Sequence, residues 1–159
     1  MAIIDEQLTI TIGAETFCAR WRRDLAPHSC KEFEQLLPYG GDVIHARWSG
    51  EAMWTRLASV WQRELCLPTE SATNRPCPGD LLLFAGEGSE PELLVVYGSA
   101  RFACKTGPLK GNPVLVIEDD LERLAMVGQA VLQSGAMTIR IQQVAPIDSH
   151  CAHVHNASI

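Results

Sequence analysis

Short segments in which apolar and polar residues alternate constrain the fold more than any other feature of the sequence. Residues 8–12 and 16–21 alternate on either side of Gly13-Ala14-Glu15, and residues 138–142 alternate again near the other end of the chain. A period of two places the apolar side chains on one face of a β-strand. The first two segments therefore predict a β-hairpin, and the chain is expected to be mainly β-structure.

A first helix is predicted after this hairpin. Ser29 and Glu32 have the spacing of a capping box, in which each side chain bonds a backbone amide of the other residue. Apolar residues then recur at helical spacing until Pro38 ends the helix; they are Cys30, Phe33, Leu36 and Leu37.

A second helix is predicted about three quarters of the way along the chain. Asp119 or Asp120 caps it, it runs through Ser134, and Gly135 is its C-terminal stop. One face is apolar, which indicates packing against a sheet; its residues are Leu121, Leu124, Ala125, Gly128, Val131 and Leu132.

Two predicted strands are apolar at nearly every position. Residues 81–84 and 92–98 lack the alternation seen elsewhere, so both faces of these strands are expected to be covered. A helix, a loop or a second subunit could supply the cover. We expect a homo-oligomer, most simply a dimer, because an antiparallel barrel strand normally keeps one face for water.

The remaining segments are less strongly patterned. Residues 112–117 are predicted as another strand, and residues 99–105 as a bend into a further one. Residues 55–67 fit either strand or helix. Residues 68–78 contain several prolines and polar residues and are predicted to form a loop.

Composition excludes several classes of function. The chain has 159 residues, 47% of them hydrophobic and 20% charged, which is typical of one globular domain; we assign it to residues 1–145, with a tail at 146–159. The net charge of −6 argues against nucleic acid or an anionic membrane as partner.

No segment has the roughly 18 consecutive apolar residues of a membrane span, and residues 1–11 lack signal-peptide features, so a cytoplasmic protein is expected. The six cysteines lack a paired spacing and are interpreted as free thiols.

Four motifs match those of a known group of proteins. They are Leu37-Pro38-Tyr39, Ile44-His45-Ala46-Arg47-Trp48-Ser49-Gly50-Glu51-Ala52, Pro78-Gly79-Asp80 and Tyr97-Gly98-Ser99-Ala100-Arg101-Phe102. In these motifs the chain resembles an uncharacterised prokaryotic family of small cyclophilin-like proteins, over about residues 7–142. The resemblance implies a closed antiparallel β-barrel of about eight strands with two helices. It implies no activity, because the family has none assigned.

The resemblance to cyclophilins themselves is weaker at the residues that isomerise proline. Cyclophilins present Phe-His-Arg on a strand, and the arginine hydrogen-bonds the rotating amide. Here Ala46 separates His45 from Arg47, and no phenylalanine precedes them. Residues 99–102 are similar to the cyclophilin Gly-Ser-Gln-Phe segment but lack its glutamine. Prolyl isomerase activity is therefore not expected.

The segment from Ile44 to Trp54 contains the densest set of reactive side chains. If residues 44–48 form a strand, His45 and Arg47 share one face and stand roughly 7 Å apart, close enough to bind one small ligand. A buried arginine needs an anionic or strongly accepting partner. We expect Arg47 to bind a carboxylate or amide, and His45 to orient it or to exchange a proton with it.

Other polar residues are candidates for the same site. Ser49 and Tyr97 are expected to help bind the ligand, and Arg101 is either a second anion clamp or a surface charge. Glu51 is interpreted as an ion-pair partner of Arg47; the alternative is a general base beside His45. By contrast, the indoles of Trp48 and Trp54 are expected in the core, because an indole buries a large area.

Three functions are consistent with these features. The first is binding of a small carboxylate- or amide-bearing metabolite at the His45–Arg47 strand, either without chemistry or as an enzyme of unknown reaction. The second is a vestigial peptidyl-prolyl isomerase or peptide-binding module using the same groove. The third is a non-catalytic oligomeric accessory subunit, for which the apolar strands are the motive.

No cofactor is indicated. The glycines of residues 107–112 do not join a strand to a helix, so they form a loop rather than a phosphate-binding turn. Cys66 and Cys77 flank the long loop without a nearby base, which gives little support for a nucleophilic cysteine.

The C-terminal tail contains three potential metal ligands, Cys151, His153 and His155, at alternate positions. Such a set can hold zinc or nickel, but a disordered end with adventitious metal affinity is the interpretation we adopt. We therefore expect elemental analysis of untagged protein, purified without added metal, to find no stoichiometric metal. One equivalent of zinc, lost when His153 and His155 are replaced by alanine, would contradict this interpretation.

Overall fold

A computed structural model describes residues 7–57, 61, 66–86 and 90–144. Within them the elements follow the order β1 (Gln7–Ile12), β2 (Glu15–Trp21), α1 (Pro27–Glu34), β3 (Tyr39–His45), β4 (Gly50–Arg56), β5 (Asp80–Phe84), β6 (Glu92–Ala100), β7 (Ala103–Cys104), β8 (Gly107–Pro108), β9 (Asn112–Ile117), α2 (Leu121–Ser134) and β10 (Met137–Gln143). The proposed boundary between domain and tail lies just outside these residues.

Eight of these strands form a closed antiparallel barrel in the order β1-β10-β3-β4-β6-β5-β9-β2. The last strand, β10, closes it by pairing with β1 on one side and β3 on the other. Closure leaves the barrel without an unpaired strand edge. The prediction of a mainly β fold with two helices and a closed barrel of about eight strands is confirmed. The short strands β7 and β8 form a separate ribbon.

The barrel interior contains one large apolar cluster. Alternate residues of the strands supply it, and both helices add to it through residues such as Phe33 of α1 and Leu124 of α2. The helices lie at opposite ends. The α1 end includes the last residues of β4 and β5 and the first residues of β9, whereas the α2 end includes the last residue of β3 and the turn into β4.

A second apolar cluster covers the outside of β5 and β6. Leu82, Leu94 and Val96 point outwards and are fully buried. Their cover includes Phe102 and Leu109 from the segment that carries the β7–β8 ribbon. The prediction that both faces of these strands are covered is confirmed, but a loop of the same chain supplies this cover. The apolar strands therefore no longer require a second subunit.

The capping box predicted for α1 is wrong. The helix begins at Pro27, two residues before Ser29, and its N-cap Ala26 makes no side-chain hydrogen bond. The cap comes instead from Glu70 in the long loop, whose carboxylate accepts hydrogen bonds from the amides of His28 and Ser29 at 3.0 and 2.8 Å. Ser29 is buried, and its hydroxyl donates to the same carboxylate.

The sequence of residues 55–67 fits either a strand or a helix, and in the structure the strand ends at Arg56. Strand β4 continues to that residue, and Leu57 donates its amide to the carbonyl of Pro91 at 2.9 Å. Leu57 and Trp61 are buried in the interior cluster. Residues 58–60 and 62–65 lie outside the described part of the chain.

The second predicted helix agrees closely with α2. Asp120 is the N-cap and accepts a hydrogen bond from the amide of Arg123, and Gly135 is the C-cap. Its buried face differs in detail from the predicted one. Val127 is buried, whereas Leu121 is 37% exposed and Ala125 only half-buried.

None of the described cysteines forms a disulfide bond. Cys30 is buried in the core, and burial raises the pKa of its thiol to about 11. Cys151 lies outside the described residues. Within those residues, no helix is long and apolar enough to cross a membrane.

One buried carboxyl predicts a pH-dependent stability. Glu92 at the start of β6 is only 6% exposed, and burial followed by repulsion from Glu90 raises its pKa from 4.5 to about 7. The folded state therefore holds a proton that the unfolded state releases, so stability falls as pH rises from about 4.5 to 7. We expect Glu92→Gln to be more stable than wild type by about 2–3 kcal/mol at pH 8, with most of this difference absent at pH 5.

Urea unfolding at the two pH values checks this expectation. Glu122→Gln is the matched control, since Glu122 is exposed in α2. A stability difference between wild type and Glu92→Gln that does not change with pH would contradict the protonation of Glu92.

Candidate functional site

The turn between β3 and β4 carries the central residues of the predicted site. Strand β3 ends at His45, and residues 47–49 form a turn before β4 begins at Gly50. The prediction that residues 44–48 are one strand is therefore wrong after His45. Arg47 lies in the turn and is exposed, so its position does not follow from a period of two.

His45 meets Tyr97 at the α2 end of the barrel. Its Nε2 lies 2.6 Å from the Tyr97 hydroxyl, and the two rings pack edge to face at 5.6 Å between centroids. The neighbours Val43 and Val95, two residues before each, belong to the interior cluster. Because side chains two apart share a face, the pair stands on the interior face of the barrel. The structure thus brings together two of the predicted site residues.

Helix α2 covers this pair through a glycine. The ring of Tyr97 packs against Gly128, and a Cβ at position 128 would clash with the ring. A glycine within a helix costs roughly 1 kcal/mol relative to alanine, so its presence needs a packing reason. The sequence placed Gly128 on the buried face of the helix but did not predict its contact with Tyr97. A glycine in the middle of a helix could have indicated such a close contact.

Burial and charge keep His45 neutral. Burial lowers the pKa of its imidazole, the positive charge of Arg47 lowers it further, and Glu51 opposes both effects. The pKa of Tyr97 is raised by burial and by Glu51. At neutral pH the pair is therefore an uncharged imidazole and an uncharged phenol.

One atom of this pair has no hydrogen-bond partner. The Nδ1 atom of His45 is buried and unpaired among the described residues. If Tyr97 donates to Nε2, then Nδ1 carries the proton and is a donor; in the other tautomer, Nδ1 is an acceptor. In both cases a buried polar atom is left for a ligand or a water molecule, because an unpaired one is costly.

Glu51 lies beside this pair without a direct hydrogen bond to it in the described structure. Its Oε1 accepts a hydrogen bond from the amide of Ser99 at 3.0 Å, and its carboxylate packs closely against Gly98. The ion pair with Arg47 that the sequence suggested is absent from the described contacts. Glu51 is exposed, and it affects His45 and Tyr97 through its charge.

Arg47 is close to the end of α2. Its Nη2 donates a long hydrogen bond of 3.4 Å to the carbonyl of Leu132, in the last turn of the helix. Exposed carbonyls at a helix C-terminus attract cations, which gives Arg47 a structural role. The contact is long and exposed, and a ligand carboxylate could replace it.

Ser49 and Arg101 support the turn. The hydroxyl of Ser49 donates to the carbonyl of Ala103 and accepts from its amide, at 3.1 and 3.2 Å. The amide of Arg101 donates to the carbonyl of Ser49 at 2.8 Å, and its side chain is exposed. Both hydrogen-bonding functions of the Ser49 hydroxyl are thus used within the protein, which ties the turn carrying Arg47 to the segment that follows β6.

Of Trp48 and Trp54, only Trp54 is buried as expected. Trp54 is 7% exposed in the outer cluster, but Trp48 is 42% exposed. The two indoles pack edge to face at 6.0 Å. Trp48 stays exposed because it lies in the turn, beyond the covered part of the sheet.

The metal ligands proposed for the tail, Cys151, His153 and His155, lie outside the described residues. Within the described part of the chain, no group of three histidine, cysteine or acidic side chains is arranged to hold a metal ion.

These features define a closed antiparallel barrel with a neutral histidine–tyrosine pair at one end. The chain belongs to the family described as "Protein of unknown function (DUF3830)", which matches residues 8–143. This agrees with the expected uncharacterised family, while the likeness to cyclophilins remains a sequence resemblance. No curated protein matches the sequence.

Solved structures with a similar fold include the two described next. McbB, determined in complex with tryptophan, superimposes with a TM-score of 0.69 and 21% identity over 86% of this chain, which spans only 44% of McbB. The hypothetical protein AF2241 from Archaeoglobus fulgidus, a solution structure, gives a TM-score of 0.53 and 12% identity, with 89% and 96% of the two chains covered. At these identities the likeness establishes the fold and nothing about the site.

The charges around His45 predict opposite effects of two substitutions. Arg47→Gln should raise the pKa of His45, because it removes a repelling positive charge, and Glu51→Gln should lower it, because it removes an attracting negative charge. Titration of the His45 ring resonances by NMR measures both effects.

Glu118→Gln is the matched control, since Glu118 is paired with Arg20 and does not act on His45. Shifts of the same sign in Arg47→Gln and Glu51→Gln would contradict this arrangement of charges.

Proposed function

We propose that the α2 end of the barrel binds a small carboxylate- or amide-bearing metabolite. The observation that carries the proposal is the hydrogen bond between His45 and Tyr97, which leaves the buried Nδ1 of His45 unpaired. A carboxylate oxygen accepts from Nδ1–H, and an amide matches either tautomer. The ligand thus satisfies a polar atom that the protein leaves without a partner.

Arg47 supplies the charge in this proposal. It lies close enough to His45 to influence its pKa, and within the described residues its side-chain hydrogen bond is the long contact with Leu132. A guanidinium binds a carboxylate with two parallel hydrogen bonds, so moving from the Leu132 carbonyl to an anion is favourable. Arg101, beside the same turn, is the second candidate clamp. Ser49 contributes by holding the turn in place.

The role of His45 follows from its neutral state. It orients the ligand through Nδ1, and in a reaction the same Nδ1 exchanges a proton with the ligand while Tyr97 stays hydrogen-bonded to Nε2. Glu51 adjusts the pKa values of both groups through its charge.

The neighbour McbB gives a practical probe. It was determined with tryptophan, which carries a carboxylate, and its fold includes a region like this barrel. Tryptophan is therefore a reasonable first ligand to test, without being assigned to this chain. The apolar strands β5 and β6 no longer support the alternative of an oligomeric accessory subunit, because Leu82, Leu94 and Val96 are covered within the chain.

Binding should depend on Arg47 and on the carboxylate. A thermal-shift screen of small carboxylates with their matched amides and amines, including tryptophan, tryptophanamide and tryptamine, selects a ligand for calorimetric titration. We expect Arg47→Ala to weaken binding of the carboxylate about tenfold or more, because one hydrogen bond to a charged group contributes about 1.5–3 kcal/mol. His45→Ala should weaken both the carboxylate and the amide.

Arg140→Ala is the matched control, since Arg140 is an exposed arginine of β10 and its loss changes the net charge equally. Circular dichroism checks that each variant is folded. Unchanged affinity in folded Arg47→Ala and His45→Ala would place the site elsewhere.

A further inference from the structure

Two opposite charges flank the turn that carries the candidate site, and they do not pair with each other. The amide of Ala46 donates to the carbonyl of Ala52 at 2.9 Å, and Arg47 and Glu51 are the next residues on the two arms of the turn. Oppositely charged neighbours on paired strands usually attract each other. Within the described residues, however, no ion pair or hydrogen bond joins these two side chains, and each is held by a different element.

The carboxylate of Glu51 is fixed against β6. Its Oε1 accepts a hydrogen bond from the amide of Ser99 at 3.0 Å. A Cβ at Gly98 would lie 2.7 Å from the same oxygen, so the glycine makes room for the carboxylate. Glu51 is exposed, and its Oε2 has no hydrogen-bond partner in the described part of the chain. One carboxylate oxygen of fixed position is therefore open to a donor from solution.

The guanidinium of Arg47 is held at α2 instead, through the hydrogen bond of 3.4 Å from its Nη2 to the carbonyl of Leu132. Gly98 and Ser99, which hold Glu51, directly follow Tyr97 in β6. The anion thus lies on the β6 side of the histidine–tyrosine pair and the cation on the α2 side. Both charges act on His45: after burial, Arg47 lowers the pKa of the imidazole, and Glu51 opposes this effect. The pair is therefore within reach of a cation and of an anion that remain apart.

We propose that the ligand of this site is an amino acid in its zwitterionic form, with its carboxylate at Arg47 and Nδ1 of His45 and its ammonium at Glu51. The inference rests on the proposed function and adds a second charged group to the ligand. A plain carboxylate is attracted by Arg47 but repelled by Glu51, whereas a zwitterion is attracted by both. The N–H donors of an ammonium also suit the open carboxylate oxygen of Glu51.

Two sets of matched probes test the inference. Each set contains an amino acid, the acid that lacks its ammonium and the amine that lacks its carboxylate: alanine, propionate and ethylamine, and phenylalanine, 3-phenylpropionate and 2-phenylethylamine. Each probe is titrated into the full-length protein, and the NMR ring resonances of His45 and Tyr97 report binding at this site. We expect the amino acid to bind about fivefold more tightly than its acid, because it gains an exposed ion pair, and the amine to bind most weakly.

Glu51→Gln should change the affinities for the two kinds of ligand in opposite directions. It should weaken the amino acid about fivefold, because the ammonium loses its partner. It should slightly strengthen the plain acid, because a repelling charge is removed. Glu118→Gln is the matched control: it removes an exposed carboxylate that is paired with Arg20, and it should change neither affinity.

The outcomes separate this inference from the proposed function. Equal affinity for an amino acid and its acid, weaker binding of both in Glu51→Gln, or no shifts with either amino acid at millimolar concentration would overturn the amino-acid assignment. Binding of propionate or 3-phenylpropionate that Arg47→Ala weakens would still support the proposed function in each of these cases. Binding of the acids that Arg47→Ala leaves unchanged would overturn the proposed function, and the inference with it.

Discussion

Closure of the sheet by β10 is the constraint on which the other features depend. The last strand must pair with β1 through Ile10 and Ile141 and with β3 through Gly41 and Ile139. Closing the barrel turns one face of every strand into a shared interior and leaves two open ends. Helices α1 and α2 contribute their buried residues to that interior, so the two ends acquire different surroundings.

At the α2 end, close packing places the imidazole of His45 against the phenol of Tyr97. Gly128 lets the helix approach the ring of Tyr97, and Tyr97 holds His45 through Nε2. The same burial lowers the pKa of the imidazole and raises that of the phenol. A neutral acid–base pair therefore results from packing, and the nearby charges of Arg47 and Glu51 adjust it in opposite directions.

The alternating segments were predictable because their pattern is local. A period of two, a turn at Gly13 and a cap at Asp120 are each contained within a few residues, and β1, β2 and α2 formed as expected. The pairing of His45 with Tyr97 was reachable only as a hypothesis, since 52 residues separate them. The exposure of Trp48 and the turn at Arg47 were missed, because the alternation of apolar and polar residues continues from Ile44 to Trp48, past the end of β3 at His45.

The sequence by itself determined the mainly β class and the two helices, because these depend on local periodicity and composition. Only the tertiary structure decided which distant residues cap helix α1 and cover the outer faces of β5 and β6. Glu70 replaces the predicted Ser29–Glu32 capping box at the start of α1, and the residues around Phe102 cover the outer side chains of β5 and β6. In each case the partner is distant in the chain, and barrel closure, which no local pattern encodes, brings it into contact.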